Sequence, residues 1–199
     1  MAHPRFSYAL LAPVAVMSLS GCGINSVPAA EESVKAKWAD VQNQYQRRAD
    51  LVPNLVAVVK GFAQQEQDTL TQVTEARAKA TSVQVSANDL QDPQKMAAFQ
   101  AAQNELGQSL GRLLVSVEAY PDLKSNENFL TLQSQLEGTE NRIAVARRDY
   151  NEAVRDYNTR IRTFPELIGA KLVHGAQPMT PFEATTQGAE EAPKVDFGG

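Results

Sequence analysis

From Val34 to about Lys79, apolar side chains recur every three or four residues: Val34, Trp38, Val41, Tyr45, Val52, Leu55, Val56, Val59, Ala63, Leu70 and Val73. A repeat of that period puts one apolar stripe along a single amphipathic helix of ~50 residues, ~75 Å if unbroken. Such a stripe is stable in water only when other helices cover it, so the feature points to an all-α bundle. Arg48 and Glu66 occupy the stripe without being apolar. Pro53 lies inside it, where proline removes a ladder hydrogen bond and crowds the preceding turn. Because the stripe keeps its phase through Pro53, a kink is expected there and not an end.

Two further seams follow. Residues 81–91 read as a loop, after which Asp92 caps a second helix with Pro93 in its first turn. Its seam is Met96, Phe99, Gln103, Leu106, Leu110, Leu113, Val117 and Tyr120, ended by Pro121. A tight connection leads to the third seam: Phe129, Leu132, Leu136, Glu140, Ile143, Arg147, Tyr150, Val154, Tyr157, Ile161 and Phe164, ended by Pro165. Short connections make neighbouring helices antiparallel. The expected fold is an antiparallel up-down bundle of three long helices, four if the first breaks at Pro53, with a short C-terminal helix and a flexible tail. The second helix, at ~27 residues, covers about half of the first. Trp38, Val41 and Tyr45 therefore need another partner: a second copy, the tail, or the rest of the first helix folded back at Pro53.

Before the bundle, residues 7–19 are almost wholly apolar and end in Leu19-Ser20-Gly21-Cys22. The run is too short to span a bilayer and reads as a signal peptide. Leu19, Ser20 and Gly21 resemble the lipobox of bacterial lipoproteins, with Cys22 as the lipidated residue. The competing reading is a plain secretory signal with an incidental cysteine. The expected organisation is a signal peptide over 1–21, a lipidated tether over 22–30, the bundle over 31–170 and a flexible tail over 171–199, whose Phe182 and Val195-Asp196-Phe197 are candidates to dock on the bundle. Multiple acyl chains hold a protein on a membrane where one does not. Gly23 stands where an aspartate would direct a bacterial lipoprotein to the inner membrane, which favours the outer membrane by resemblance to that sorting rule.

The stretch Gln46–Gly61 carries Arg47, Arg48, Asp50, Pro53, Asn54 and Lys60. It resembles the signature of the LemA family. Leu110–Leu114, Glu118–Lys124, Thr139–Ile143, Arg147–Asn151, Tyr157–Thr159, Phe164–Pro165 and Val195–Phe197 resemble further blocks of that family, in order, over nearly all of residues 31–199. The resemblance implies an antiparallel helical bundle and a membrane-tethered envelope protein without established enzymatic activity. A family relative that works in magnetosome membranes suggests membrane organisation. Many members use an N-terminal transmembrane helix where this chain has the lipobox.

Composition excludes several classes of chemistry. The net charge is −4, so no basic face suits nucleic acid. One cysteine and two histidines leave no zinc finger, Cys–His nucleophile or disulfide framework. Folding the seams on one another, Ala80 opposite Pro93 and Tyr120 opposite Asn126, brings Glu66, Gln103 and Glu140 into one layer. Facing glutamates in bundles bind metals, usually with a Glu-x-x-His pair that is missing here. The alternative is a layer closed by Arg142 or Arg112 that fixes helix register. Arg47, Arg48, Asp50 and Asn54 likewise read two ways. They present a partner site, or Arg48 pairs with an acid on a neighbouring helix while Asn54 serves backbone groups loosened by Pro53.

Gly61 and Gly107 suggest close backbone approach. Glu31–Lys35, Glu75–Lys79 and Asp156–Arg160 form a solvated face of i,i+4 pairs. No catalytic residue, metal or cofactor is expected. The leading expectation is a lipid-anchored, periplasm-facing scaffold for an envelope protein, a second copy or membrane. The runner-up is a small-ligand or metal module using Glu66 and Glu140.

Overall fold

The computed structural model describes the backbone of residues 8–183 and the side chains of residues 25–183. Among them there are helices and no strands. In chain order these are α1 (Tyr8–Phe62), α2 (Gln67–Ser82), α3 (Pro93–Val117), α4 (Pro121–Lys124), α5 (Glu127–Arg160) and α6 (Glu166–Gly169), the last running into a π-helical turn at Ala170–His174. Gly175, at φ 57°, ends that turn in the left-handed region glycine enters without strain. The side chains of Leu19, Ser20, Gly21 and Cys22 lie outside those described, as do Val195–Phe197. Residues 25–30, expected as a tether, continue α1, with Val27 and Ala30 buried. Among the described residues no helix is long and apolar enough to cross a membrane.

The first seam does not break or end at Pro53. α1 runs through the proline, and the chain reverses at Ala63–Glu66 instead. Ala63 and Leu70 are seven residues apart, two helical turns, so the stripe stays in phase across the reversal and periodicity cannot see it. Folding back packs Leu70, Val73, Ala76 and Ala80 of α2 against Val52, Leu55 and Val59 of α1. Each of these larger side chains gains ~1.5–3 kcal/mol by burial.

The remaining helices return in turn. Asp92 caps α3 by accepting from the Gln94 and Lys95 N–H groups, and Asn126 caps α5 through those of Asn128 and Phe129. α2 and α3 are paired through Lys79–Glu105 (2.5 Å) and Gln103–Ala80. Lys79 thus pairs across helices and not with Glu75. The expected Glu31–Lys35 and Asp156–Arg160 pairs both form, at 2.9 Å. α1 and α5 meet at Lys37–Asp149, Gln44–Arg142 and Arg48–Glu140, so one number rises as the other falls and the two helices are antiparallel.

The core falls into two parts. One gathers Trp38, Tyr45, Phe99, Tyr150, Tyr157, Met179 and Phe182 around the first half of the described α1. The other gathers Val52, Leu55, Val59, Leu106, Leu113, Phe129 and Leu136.

Residues 176–183, expected either as flexible tail or as docking through Phe182, form a strap packed on the first part. Phe182 stacks on Trp38 at 5.9 Å, and Phe99 and Tyr150 complete the cage at 5.2 and 5.4 Å from the indole. The Trp38 N–H donates to the Val85 carbonyl at 2.9 Å, which binds the linker between α2 and α3 to the same place. The tail, the linker, α3 and α5 therefore cover the Trp38–Tyr45 seam, leaving none of it for a second copy.

Candidate functional site

Between the two apolar parts lies a polar layer, and Arg48 stands at its centre with only 4% of its surface exposed. Its Nη1 donates to Glu140 Oε1 at 3.0 Å, and its Nη2 donates to the Gln103 carbonyl and Oε1 at 2.8 and 2.9 Å. Gln103 in turn donates from Nε2 to the Ala80 carbonyl at 3.1 Å. One level of the bundle thus joins α1, α2, α3 and α5. The guanidinium also lies 5.1 Å from the Tyr45 ring centre, and burial pushes the Tyr45 hydroxyl above its ordinary pKa.

Burying two charges together costs several kcal/mol per ion, of order. Here only one is fully desolvated, since the Glu140 side chain is 49% exposed. Of the buried side-chain atoms described, Arg48 Nε is the one without a hydrogen-bond partner. The layer acts as a register key: sliding α1 by one turn would place a cation in an apolar core.

Glu66 does not join this layer. The linker puts Ala80 opposite Gln103 and not Pro93, so Glu66 moves to the far end of α3 and accepts from the Tyr120 hydroxyl at 3.0 Å. That bond raises the Tyr120 pKa. Glu66 and Glu140 therefore lie at different levels and cannot hold one ion between them. Arg142 does not close the layer. It bonds Gln44 and Thr139. Arg112 is exposed. Among the described residues no group of three His, Cys, Asp or Glu side chains is placed to hold a metal. A Cβ at Gly107 would meet Arg48 Nη1 at 3.6 Å, an ordinary contact, and one at Gly61 would meet nothing within 4 Å, so neither glycine marks a close backbone approach.

The signature stretch divides by face. Arg48, Ala49, Val52, Leu55 and Val59 point inward, whereas Arg47, Asp50, Pro53, Asn54 and Lys60 are exposed. Gln46 Nε2 donates to Asp50 Oδ1 at 2.7 Å along this outer face. Pro53 has no N–H, so the Ala49 carbonyl lacks its donor in the helical ladder. Arg77 of α2 supplies one, its Nε–H reaching that carbonyl at 2.7 Å. The role expected of Asn54 thus belongs to Arg77. The signal was available in the sequence: a proline inside a helix leaves the carbonyl four residues earlier in need of an outside donor.

Two asparagines fix the strap. The Asn158 amide donates to the Met179 carbonyl and accepts from its N–H, at 2.8 and 2.9 Å. Asn151 does the same for Phe182 at 3.0 and 2.8 Å. Each side chain serves both backbone groups of one residue, as a neighbouring strand would. The Tyr150 hydroxyl donates to the Thr180 carbonyl, and Arg147 both donates to the Glu183 carbonyl and covers the Phe182 ring. Desolvation pushes the Tyr150 hydroxyl well above the usual phenol range. The two Tyr-Asn pairs, seven residues apart, announce a single polar edge beside the third seam.

Comparison with known proteins agrees with the motifs. The model of the LemA family matches residues 37–197. Magnetosome protein MamQ 2 of Paramagnetospirillum magneticum is 26% identical over 179 residues, covering 82% of this chain and 66% of its own length. MamQ of Magnetospirillum gryphiswaldense is 26% identical over 150 residues, 67% of this chain and 55% of its own. Protein LemA of Metamycoplasma hominis is 27% identical over 118 residues, 59% of this chain and 49% of its own. The matches thus span about half to two thirds of those relatives. None of the names denotes an enzyme.

Proposed function

Because this chain belongs to the LemA family, we propose that it is a lipid-anchored bacterial envelope protein whose bundle is a non-catalytic scaffold for partner proteins or membrane. One observation carries the reading. The buried polar side chains Arg48 and Gln103 are spent on holding helices together, while Arg47, Asp50, Asn54 and Lys60 are exposed on the outer side of α1. An exposed polar edge on one continuous helix suits recognition of another protein better than it suits chemistry. Several relatives named as magnetosome proteins support a role in an assembled cell structure. Cys22 supplies the anchor, with the bundle facing the periplasm and the outer membrane favoured.

The test is photo-crosslinking in the cell from residues 47 and 54, with residue 112 on α3 as the control. Discrete adducts from the α1 positions, absent from the control and lost in Arg47→Glu/Lys60→Glu, are expected. No adduct at either α1 position, with the protein present in the membrane fraction, refutes partner binding through this face. Cys22→Ser should release the chain from that fraction. A stoichiometric metal in the native mass spectrum, lost in Glu140→Gln, would overturn the non-catalytic reading.

A further inference from the structure

The exposed large apolar residues are not evenly spread. Phe62, Val115, Leu130 and Val145 are scattered over α1, α3 and two distant turns of α5, but Phe164, Ile168, Leu172 and Val173 follow one another within ten residues at 76, 52, 81 and 61% exposure. This segment is itself well fixed. Ala170 is buried in the same apolar cluster as Val27, Ala30, Tyr157 and Ile161, and α6 packs on α1. Ile168 and Leu172 are four residues apart in one continuous helical run and so share a face. The fold holds these side chains outward.

Its position is informative. α5 ends beside the first described turns of α1, where Tyr157 feels Glu31 and Lys35. The α1 backbone continues from there towards Cys22. The knob over residues 162–173 thus flanks the end of α1 that leads from the bundle core to Cys22. Arg162 and Lys171 are exposed on it, and Glu166 is half-buried. Apolar side chains rimmed by cations, at the anchored end of a helix, are the chemistry of a membrane interface.

We infer that Phe164, Ile168, Leu172 and Val173 seat in the surface of a phospholipid bilayer, with Arg162 and Lys171 against the phosphates. The inference rests on the anchored reading above and adds to it a fixed orientation, with this end of the bundle pressed to the membrane. Phe62 and Val115, near the opposite end, face away from it.

The experiment places single spin labels at positions 168, 172 and, as a control, 115 of the mature chain lipidated at Cys22. The chain is reconstituted in vesicles of phosphatidylethanolamine and phosphatidylglycerol. Collision with oxygen, which enriches in lipid, is compared with collision with a water-soluble nickel chelate. Labels at 168 and 172 should report a depth of ~5–10 Å, as for an interfacial helix, while 115 reports water. Protein in the vesicle fraction with all three labels in water overturns the inference and leaves the anchor standing. Protein missing from that fraction overturns both. Mutual broadening of the 168 and 172 labels, shielded from both reagents, would mark an interface between copies and also overturns it.

Discussion

Replacing Arg77 with alanine should cost this bundle far more than loss of a surface arginine does, and the reason sits on another helix. The Ala49 residue is 3% exposed, so water does not stand in for the Arg77 donor. A hydrogen bond from a charged group contributes ~1.5–3 kcal/mol, and an unsatisfied buried carbonyl forfeits a similar amount. Some packing of the arginine stem goes with it. We therefore expect Arg77→Ala to destabilise by ~2–3 kcal/mol.

The cost should depend on Pro53. Pro53→Ala restores the N–H that closes the ladder onto Ala49. Proline inside a helix is ~3 kcal/mol worse than alanine, less up to ~1 kcal/mol for the freer unfolded chain, so this change alone should be neutral or stabilising. In the Pro53→Ala background Arg77→Ala should cost ~1 kcal/mol or less, a coupling of ~1–2 kcal/mol. Urea unfolding of the four chains, followed by far-ultraviolet circular dichroism, measures this directly provided the slopes agree. If the two substitutions add to within ~0.5 kcal/mol, the carbonyl left by Pro53 is not what Arg77 serves, and the argument fails.

Arg48→Ala should cost ~2–4 kcal/mol by chemical denaturation because it opens the centre of the four-helix layer, whereas Glu140→Gln, at a half-exposed carboxylate, should cost under ~1 kcal/mol. Asn151→Ala removes both strap bonds at Phe182 and should cost ~1–3 kcal/mol. It should also raise amide exchange at Met179 and Phe182 and shift Trp38 fluorescence to the red, without loss of helicity. Asp89 is held at about 2 by Lys95 and then Ser86, against an ordinary 3.8. Its contribution is therefore complete above the ordinary value and lost as pH falls through the folded one. Asp89→Asn should flatten the fall in thermal midpoint over that interval, and an unchanged pH profile would deny the linker turn any part in acid stability.

What could be read from the sequence was the part that periodicity carries. The buried faces of α1, α3 and α5 fall on the apolar seams, with Phe164 and Glu140 the notable exposed members. Asp92 announced its cap by residue type and position. The reversal at Ala63–Glu66 was hidden because a turn that spans a whole number of helical turns leaves the stripe in phase. That omission moved every later alignment. A linker with Val85 and Leu90 buried is an ordered part of the core, and pairing Ala80 with Pro93 treated it as slack. Glu66 consequently entered a layer that belongs to Arg48. The strap was legible only in part: the uncovered Trp38–Tyr45 seam made the tail one of its three possible partners, but Pro, Gly and small polar residues mark the absence of helix, not the absence of order, and two asparagines suffice to hold extended backbone.

Covering Trp38 from within changes where function must be sought. Had the Trp38–Tyr45 seam been open, a second copy would have been the natural occupant, and removing residues 31–52 a fair test of partner capture. With Trp38 1% exposed and Arg48 tying α1 to α2, α3 and α5, that deletion would instead dismantle the core. Among the described residues, the surfaces left to consider include the polar edge from Arg47 to Lys60 and the apolar knob near residue 168. α1 is one unbroken helix through both levels. At ~1.5 Å per residue it sets Arg47 ~38 Å, and Lys60 ~57 Å, from Cys22. If Cys22 carries the anchor and the knob meets the bilayer, the polar edge stands at a fixed height that a flexible tether would not impose. A partner engaging Arg47 and Asn54 must itself extend to that height.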